Sequence, residues 1–222
     1  MSKRPHVLLS VAMSVDGYID DTTPDRLLLS NAEDFDRVDE VRANCDAILI
    51  GGNTIRRDNP RLLVNSEERR TERVRRGLPP YPIKVTITGG GLDSSFKFFH
   101  TGGEKLVYSS TTAVEKMREE LGDFANVVDG GDPVSLPAVL DDLGARGVQT
   151  LMVEGGGTIH TQFLTQGLAD EIHLAIAPFF VGDSAAPRFV NDGTFPQNPQ
   201  RRMDVAEVRQ IGDIVLVRYL PR

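Results

Sequence analysis

The chain has 222 residues, with 32 acidic against 25 basic side chains, a net charge of −7, 40% apolar residues, one cysteine and no tryptophan. That length and mixture allow a buried core and exclude disordered and fibrous architectures, while the negative charge argues against duplex nucleic acid as main partner. A lone cysteine makes neither an internal disulfide nor a cysteine-rich zinc site, and with no secretory leader or membrane-length apolar run the expectation is a soluble, cytoplasmic protein.

In chain order, His6 to Ala12 reads as a strand. Ala32, Phe35, Val38, Val41 and Cys45 recur at helical spacing with charged residues between them, which predicts a helix over Ala32 to Cys45. Asp46 to Gly52 is short and nearly all apolar, as in a strand covered on both faces. Further strands are predicted at Ile83 to Thr88, Lys105 to Ser109, Ala125 to Val128 and Gln149 to Glu154. Helices are predicted at Thr112 to Leu121, Ser135 to Ala145 and Gly156 to Gln166. Strands separated by helices imply right-handed crossovers and a largely parallel α/β sheet.

The C-terminal part differs. Glu171 to Ala177 is a strand, followed by a Gly/Pro/Asn-rich stretch from Gly182 to Gln200. Asp204 to Gln210 and Ile214 to Arg218 flank Ile211-Gly212-Asp213, a tight hairpin that adds antiparallel strands at one edge. With no repeat and no linker, residues 1–222 read as one domain. Asn65 to Gly77 is Arg-rich: its bland reading is a solvated helix or loop, its functional one a cationic patch beside a phosphate-bearing substrate.

Three clusters fall where an open α/β sheet keeps its ligands, at the carboxyl ends of strands. Met13 to Tyr18 contains an Asp-Gly turn signal. In Gly51 to Leu62, paired glycines allow close backbone approach, and Thr54 and Asp58 are spaced to share one face of a helical turn; a turn and helix cap is the bland alternative. Leu151 to His160 runs from a buried strand through Gly155, Gly156 and Gly157 into a helix, aiming free N–H groups at an anion such as a nucleotide phosphate. Glu154 beside it suits hydrogen bonds from sugar hydroxyls or a ring N–H. Cys45 reads as a core residue, and His160 as a helix-surface or anion-contact residue rather than a general base.

Taken together, these clusters resemble the reductase domain of riboflavin biosynthesis. The resemblance rests on Ala12 to Gly17, Val41 to Leu49, Thr54 to Leu62, Leu151 to Gly157 and Gly167 to Ile172 leading to Ala177-Pro178. It implies a dihydrofolate-reductase-like α/β fold, NADPH as cofactor, no metal and usually a homodimer. The implied substrate is a pyrimidine carrying a phosphoribosylamino group, whose ribose is reduced to a ribityl chain. Ala12, Thr54, Asp58, Gly155, Gly156, Gly157, Thr158 and Ile159 fall at cofactor positions; Arg42, Leu62 and Glu154 fall at substrate positions. Asp16 is the carboxyl group placed to orient or protonate, with Glu154 holding the ribose. Tyr18 stands where the family often has lysine, and Asn65 where a basic residue is common. Deaminated and non-deaminated pyrimidines both stay open, as do dihydrofolate reduction and non-catalytic nucleotide binding. The polar run Ser109 to Thr112 carries the expectation of NADPH over NADH.

Overall fold

The structure, a computed structural model, describes residues 4–222. In chain order come β1 (His6–Ser14), α1 (Ala32–Asn44), β2 (Ala47–Gly51), α2 (Gly52–Asp58), α3 (Glu67–Arg75), β3 (Ile83–Thr88), α4 (Lys97–His100) and β4 (Lys105–Ser109). They are followed by α5 (Val114–Leu121), β5 (Asn126–Asp129), α6 (Leu136–Ala145), β6 (Thr150–Gly155), α7 (Gly157–Thr165), β7 (Glu171–Ala177), β8 (Asp204–Ile211) and β9 (Ile214–Leu220). Two compact units result, one of residues up to His6 with Asp39–Met152, the other of Val7–Val38 with Val153–Arg222.

In the first unit the strands lie in the order β5-β4-β3-β2-β6, and β2, β3, β4 and β5 run parallel to their neighbours. The apolar run of β2 explains its central place: Ala47, Ile48, Leu49 and Ile50 are almost wholly buried, each large side chain contributing about 1.5–3 kcal/mol of burial. The start of β2 is tied to that of β6 by Asp46, whose carboxylate accepts the N–H groups of Gln149 and Thr150, each at 2.9 Å. Serine starts α6: Ser135 caps it by accepting from Ala138, with Pro137 in the first turn.

The Arg-rich segment folds as helix α3, capped by Ser66. Arg69, Arg70 and Arg73 hold the fold, while Arg75 and Arg76 are exposed. Arg73 is buried and donates to the carbonyls of Ala43, Cys45 and Pro79. Arg69 pairs with Asp39 at 3.0 Å, and Arg70 donates to the carbonyls of Val64 and Asn65. Asn65 donates both its backbone and side-chain N–H to Asp39, so it works as part of this cap. Cys45 is a buried free thiol of the core.

In the second unit the order is β1-β7-β9-β8. β1 and β7 are parallel, with Leu8 opposite Glu171 and Ser14 opposite Ala177, while β9 runs antiparallel to both β7 and β8. The expected mostly parallel sheet with an antiparallel C-terminal hairpin is therefore present. β1 runs on through Met13 and Ser14 beyond its expected end, because pairing with β7 continues there. The hairpin turns at Gly212 (φ 59°), where Asn31 donates to Ile211 and Asp213 and leaves no room for a side chain.

Candidate active site

In the first unit, β2 ends in Gly51-Gly52 and passes directly into α2. Only glycine permits this, since a Cβ on Gly52 would lie 2.8 Å from the Thr88 hydroxyl at the end of β3. The resulting helix puts Thr54 and Asp58 one turn apart on a common face, as their spacing predicts. After α2 the chain passes through Asn59 and Leu62, both non-glycine residues with positive φ, 43° and 51°. Leu62 is buried, and the next carbonyl, that of Leu63, accepts a hydrogen bond from Arg42 at 3.0 Å. Arg42 is thereby joined to the loop that follows α2, beside Leu62, while Thr54 and Asp58 lie on α2 itself.

The polar run at the end of β4 is less free than its composition suggests. Thr111 donates to Asp129 at 2.7 Å and Thr112 to Asp132 at 3.0 Å, while Ser110 donates to the Gly89 carbonyl. Bonds from the Gly131 N–H and the Thr111 hydroxyl hold the Asp129 carboxyl below its ordinary pKa, so a fixed negative charge sits beside the threonines.

In the second unit, β6 carries Glu154 and bends at Gly155 (φ 117°) into α7. Gly156 is the N-cap and no side chain caps the helix, so its leading N–H groups at Gly157, Thr158 and Ile159 open a helix end with positive polarity. Gly157 is obligatory for a packing reason: a Cβ there would lie 2.2 Å from the Arg188 carbonyl. His160 corrects its sequence reading. It is buried rather than on the helix surface, its ring packs under Gly155 and edge-on to Phe189, and burial pulls its pKa down to about 4 against the Val153 backbone, leaving it neutral.

Ala12 lies on β1 opposite Ala175. Beyond the strand end, Asp16 accepts from the Ser14 hydroxyl at 2.6 Å and from the N–H groups of Val181 and Gly182. Desolvation works against its charge, yet these bonds prevail and hold its pKa below the usual carboxylate value. Tyr18 is buried, and the Arg188 guanidinium lies over its ring at 4.4 Å and donates to its hydroxyl. Neither the Val181 and Gly182 N–H groups on Asp16 nor the stacked Arg188 was legible in sequence, because both depend on the irregular segment after β7.

In each unit a glycine turn at a strand end leads into a helix, the position at which α/β proteins commonly hold anionic ligands. The chain belongs to the RibD C-terminal domain family, whose model matches residues 5–217. It is 34% identical, over 95% of both chains, to the 2,5-diamino-6-ribosylamino-4(3H)-pyrimidinone 5′-phosphate reductase of Archaeoglobus fulgidus. With the enzyme of the same name from Methanothermobacter thermautotrophicus it shares 32% identity, covering 97% of this chain and 98% of that one. Among solved structures, a diaminohydroxyphosphoribosylaminopyrimidine deaminase/5-amino-6-(5-phosphoribosylamino)uracil reductase from Thermotoga maritima superposes with a TM-score of 0.81 at 23% identity, covering 99% of this chain and 57% of that one. A pyrimidine reductase-like protein from Corynebacterium diphtheriae gives 0.78 at 20% identity, covering 98% and 92%. The fold is that of these reductase domains. Among the described residues no helix is long and apolar enough to cross a membrane.

Proposed function

We propose that the chain is an NADPH-dependent reductase that converts the ribose of a phosphoribosylamino-pyrimidine into a ribityl chain in riboflavin biosynthesis, acting as one reductase domain, in the cytoplasm and as a homodimer. The observation that carries this reading is the 34% identity across 95% of both chains to a reductase named for that chemistry. Three relatives at 30% identity or above bear the name of the 2,5-diamino compound, which ranks it ahead of the deaminated one.

Ala12, Thr54, Asp58 and Gly155 through Ile159 are assigned to the cofactor. The uncapped first turn of α7 fits its pyrophosphate, because unpaired N–H groups and the helix dipole both favour an anion. Arg42, Leu62 and Glu154 are assigned to the substrate, with the Glu154 carboxylate accepting from ribose hydroxyls. When bound, NADPH supplies a hydride to the imine-like C1′ of the opened sugar. The chain's own task is to hold the two reactants in contact and keep the sugar oriented. Asp16, held ionised, is suited to orienting; the proton for the ring oxygen then comes from water.

Discrimination against NADH is expected to be weak. The hydroxyls of Thr111 and Thr112 already serve Asp129 and Asp132, and the two carboxylates oppose a 2′-phosphate. The deciding experiment follows oxidation of NADPH and NADH with the diamino and the deaminated substrate side by side, with dihydrofolate as control. Turnover of the diamino compound is expected with both cofactors. Turnover of neither pyrimidine sinks the reading, and turnover of dihydrofolate alone replaces it.

A further inference from the structure

Lys84 on β3 is wholly buried, and among the described residues no carboxylate pairs with it. Its ammonium lies 2.7 Å from the Arg61 carbonyl, 3.0 Å from that of Thr101, 3.3 Å from that of Phe98 and 2.6 Å from the Thr101 hydroxyl. The Thr101 hydroxyl is itself 2.9 Å from the Arg61 carbonyl. A further link crosses the same gap, as the Asn59 side chain accepts the Lys97 N–H at 2.7 Å. The loop from Asn59 to Leu62 is therefore fastened to α4 and to the lysine beneath it.

That loop needs fastening. Leucine with φ at 51° sets its Cβ against its own backbone, and such a conformation persists only where the surroundings over-determine it. A buried cation is an expensive way to fill volume, which methionine or leucine would do without charge. Burial, with Lys105 and Arg42 nearby, draws Lys84 down to about 7. What the lysine offers over an apolar residue is three donors on a long stem, aimed at carbonyls that no apolar side chain can hold.

We propose that Lys84 is a positioning residue for the pyrimidine substrate: by gripping the Arg61 carbonyl it fixes Leu62 in its left-handed conformation without touching the ligand. This rests on the assignment of Leu62 to the substrate. The clamp itself does not.

The experiment compares wild type with Lys84→Met, Lys84→Arg and the milder Thr101→Val, reading KM and kcat, NADPH affinity, and amide exchange across residues 59–64. Lys84→Met is expected to raise KM for the pyrimidine about tenfold, leave kcat and NADPH affinity within about twofold, and speed exchange in that segment. Lys84→Arg, which keeps charge and donors, is expected to restore part of the KM. Thr101→Val is expected to move KM and exchange the same way by less, and it keeps the test open if Lys84→Met does not fold. An unchanged KM with unchanged exchange, or equal losses in KM and NADPH affinity, overturns the proposal. A wild-type protein inactive on every pyrimidine defeats the functional assignment instead, and the clamp is then judged by exchange alone, where unchanged protection refutes it.

Discussion

The carboxylate of Asp16 accepts the backbone N–H of Gly182 at 2.8 Å, joining the turn after β1 to the irregular segment after β7, 166 residues away in sequence. The Val181 N–H and the Ser14 hydroxyl complete its ring of donors. A carboxylate so surrounded is an anchor whose charge is needed by its donors. Asp16→Asn turns an NH₂ group toward groups that already donate, so the variant is expected to melt at lower temperature and lose about tenfold in kcat/KM. The alkaline limb of its pH–rate profile, which reports a group that must be protonated, should stay where it is in wild type. A limb that shifts or vanishes makes Asp16 the proton source after all.

Glu154→Gln keeps shape and removes charge. Loss of a charge-assisted hydrogen bond to the ribose is expected to lower kcat/KM roughly ten- to a hundredfold, with cofactor affinity barely moved. Unchanged kinetics remove Glu154 from the site. Gly157→Ala serves as the contrast, since its Cβ meets the Arg188 carbonyl at 2.2 Å and its main effect should be on stability, about 1–3 kcal/mol.

Acid sensitivity should trace to Glu171. A bond from His173, against the effect of burial and with help from Arg218, draws its pKa from 4.5 to about 2. The folded value is the lower one, so its contribution to stability is complete above pH 4.5 and is lost as pH falls toward 2. Glu171→Gln should therefore be less stable than wild type near neutrality, with the gap closing through that window in denaturant titrations. A gap constant with pH counts against the assignment.

β8 ends the strand order of its unit and leaves Val205 and Val208 59% and 64% exposed. Such a strand is a natural site for pairing with a second copy. Light scattering of the wild type at micromolar concentration should give a dimer mass, and Val208→Lys should shift it toward monomer. A monomeric wild type ends the proposal.

Much of the fold was legible because periodicity and burial agree. The all-apolar β2 and the glycine turn after Glu154 could be placed from sequence, and so could the Thr54–Asp58 face. What stayed hidden depends on partners distant in sequence. Arg73 and Arg69 look like solvent-facing charges until the carbonyls of Ala43 and Cys45 and the carboxylate of Asp39 are seen beside them. Lys84, in the middle of an apolar strand, gave no sign of its four acceptors. His160 looked like a surface residue because its neighbours on α7 are mixed, while Phe189, which covers it, lies in a segment without any regular pattern.

Asp46 has a consequence for the order of folding. β2, β3, β4 and β5 are neighbours in sequence as well as in the sheet, so they can pair as they leave the ribosome. The acceptors of Asp46, however, wait for Gln149 and Thr150, about a hundred positions later. Until then one side of β2 is an open parallel edge of Ala, Ile and Leu, the kind of surface that draws in other chains. The vulnerable interval for this protein is therefore the synthesis of the stretch between β5 and β6, and slowing translation there should increase aggregation more than slowing it elsewhere.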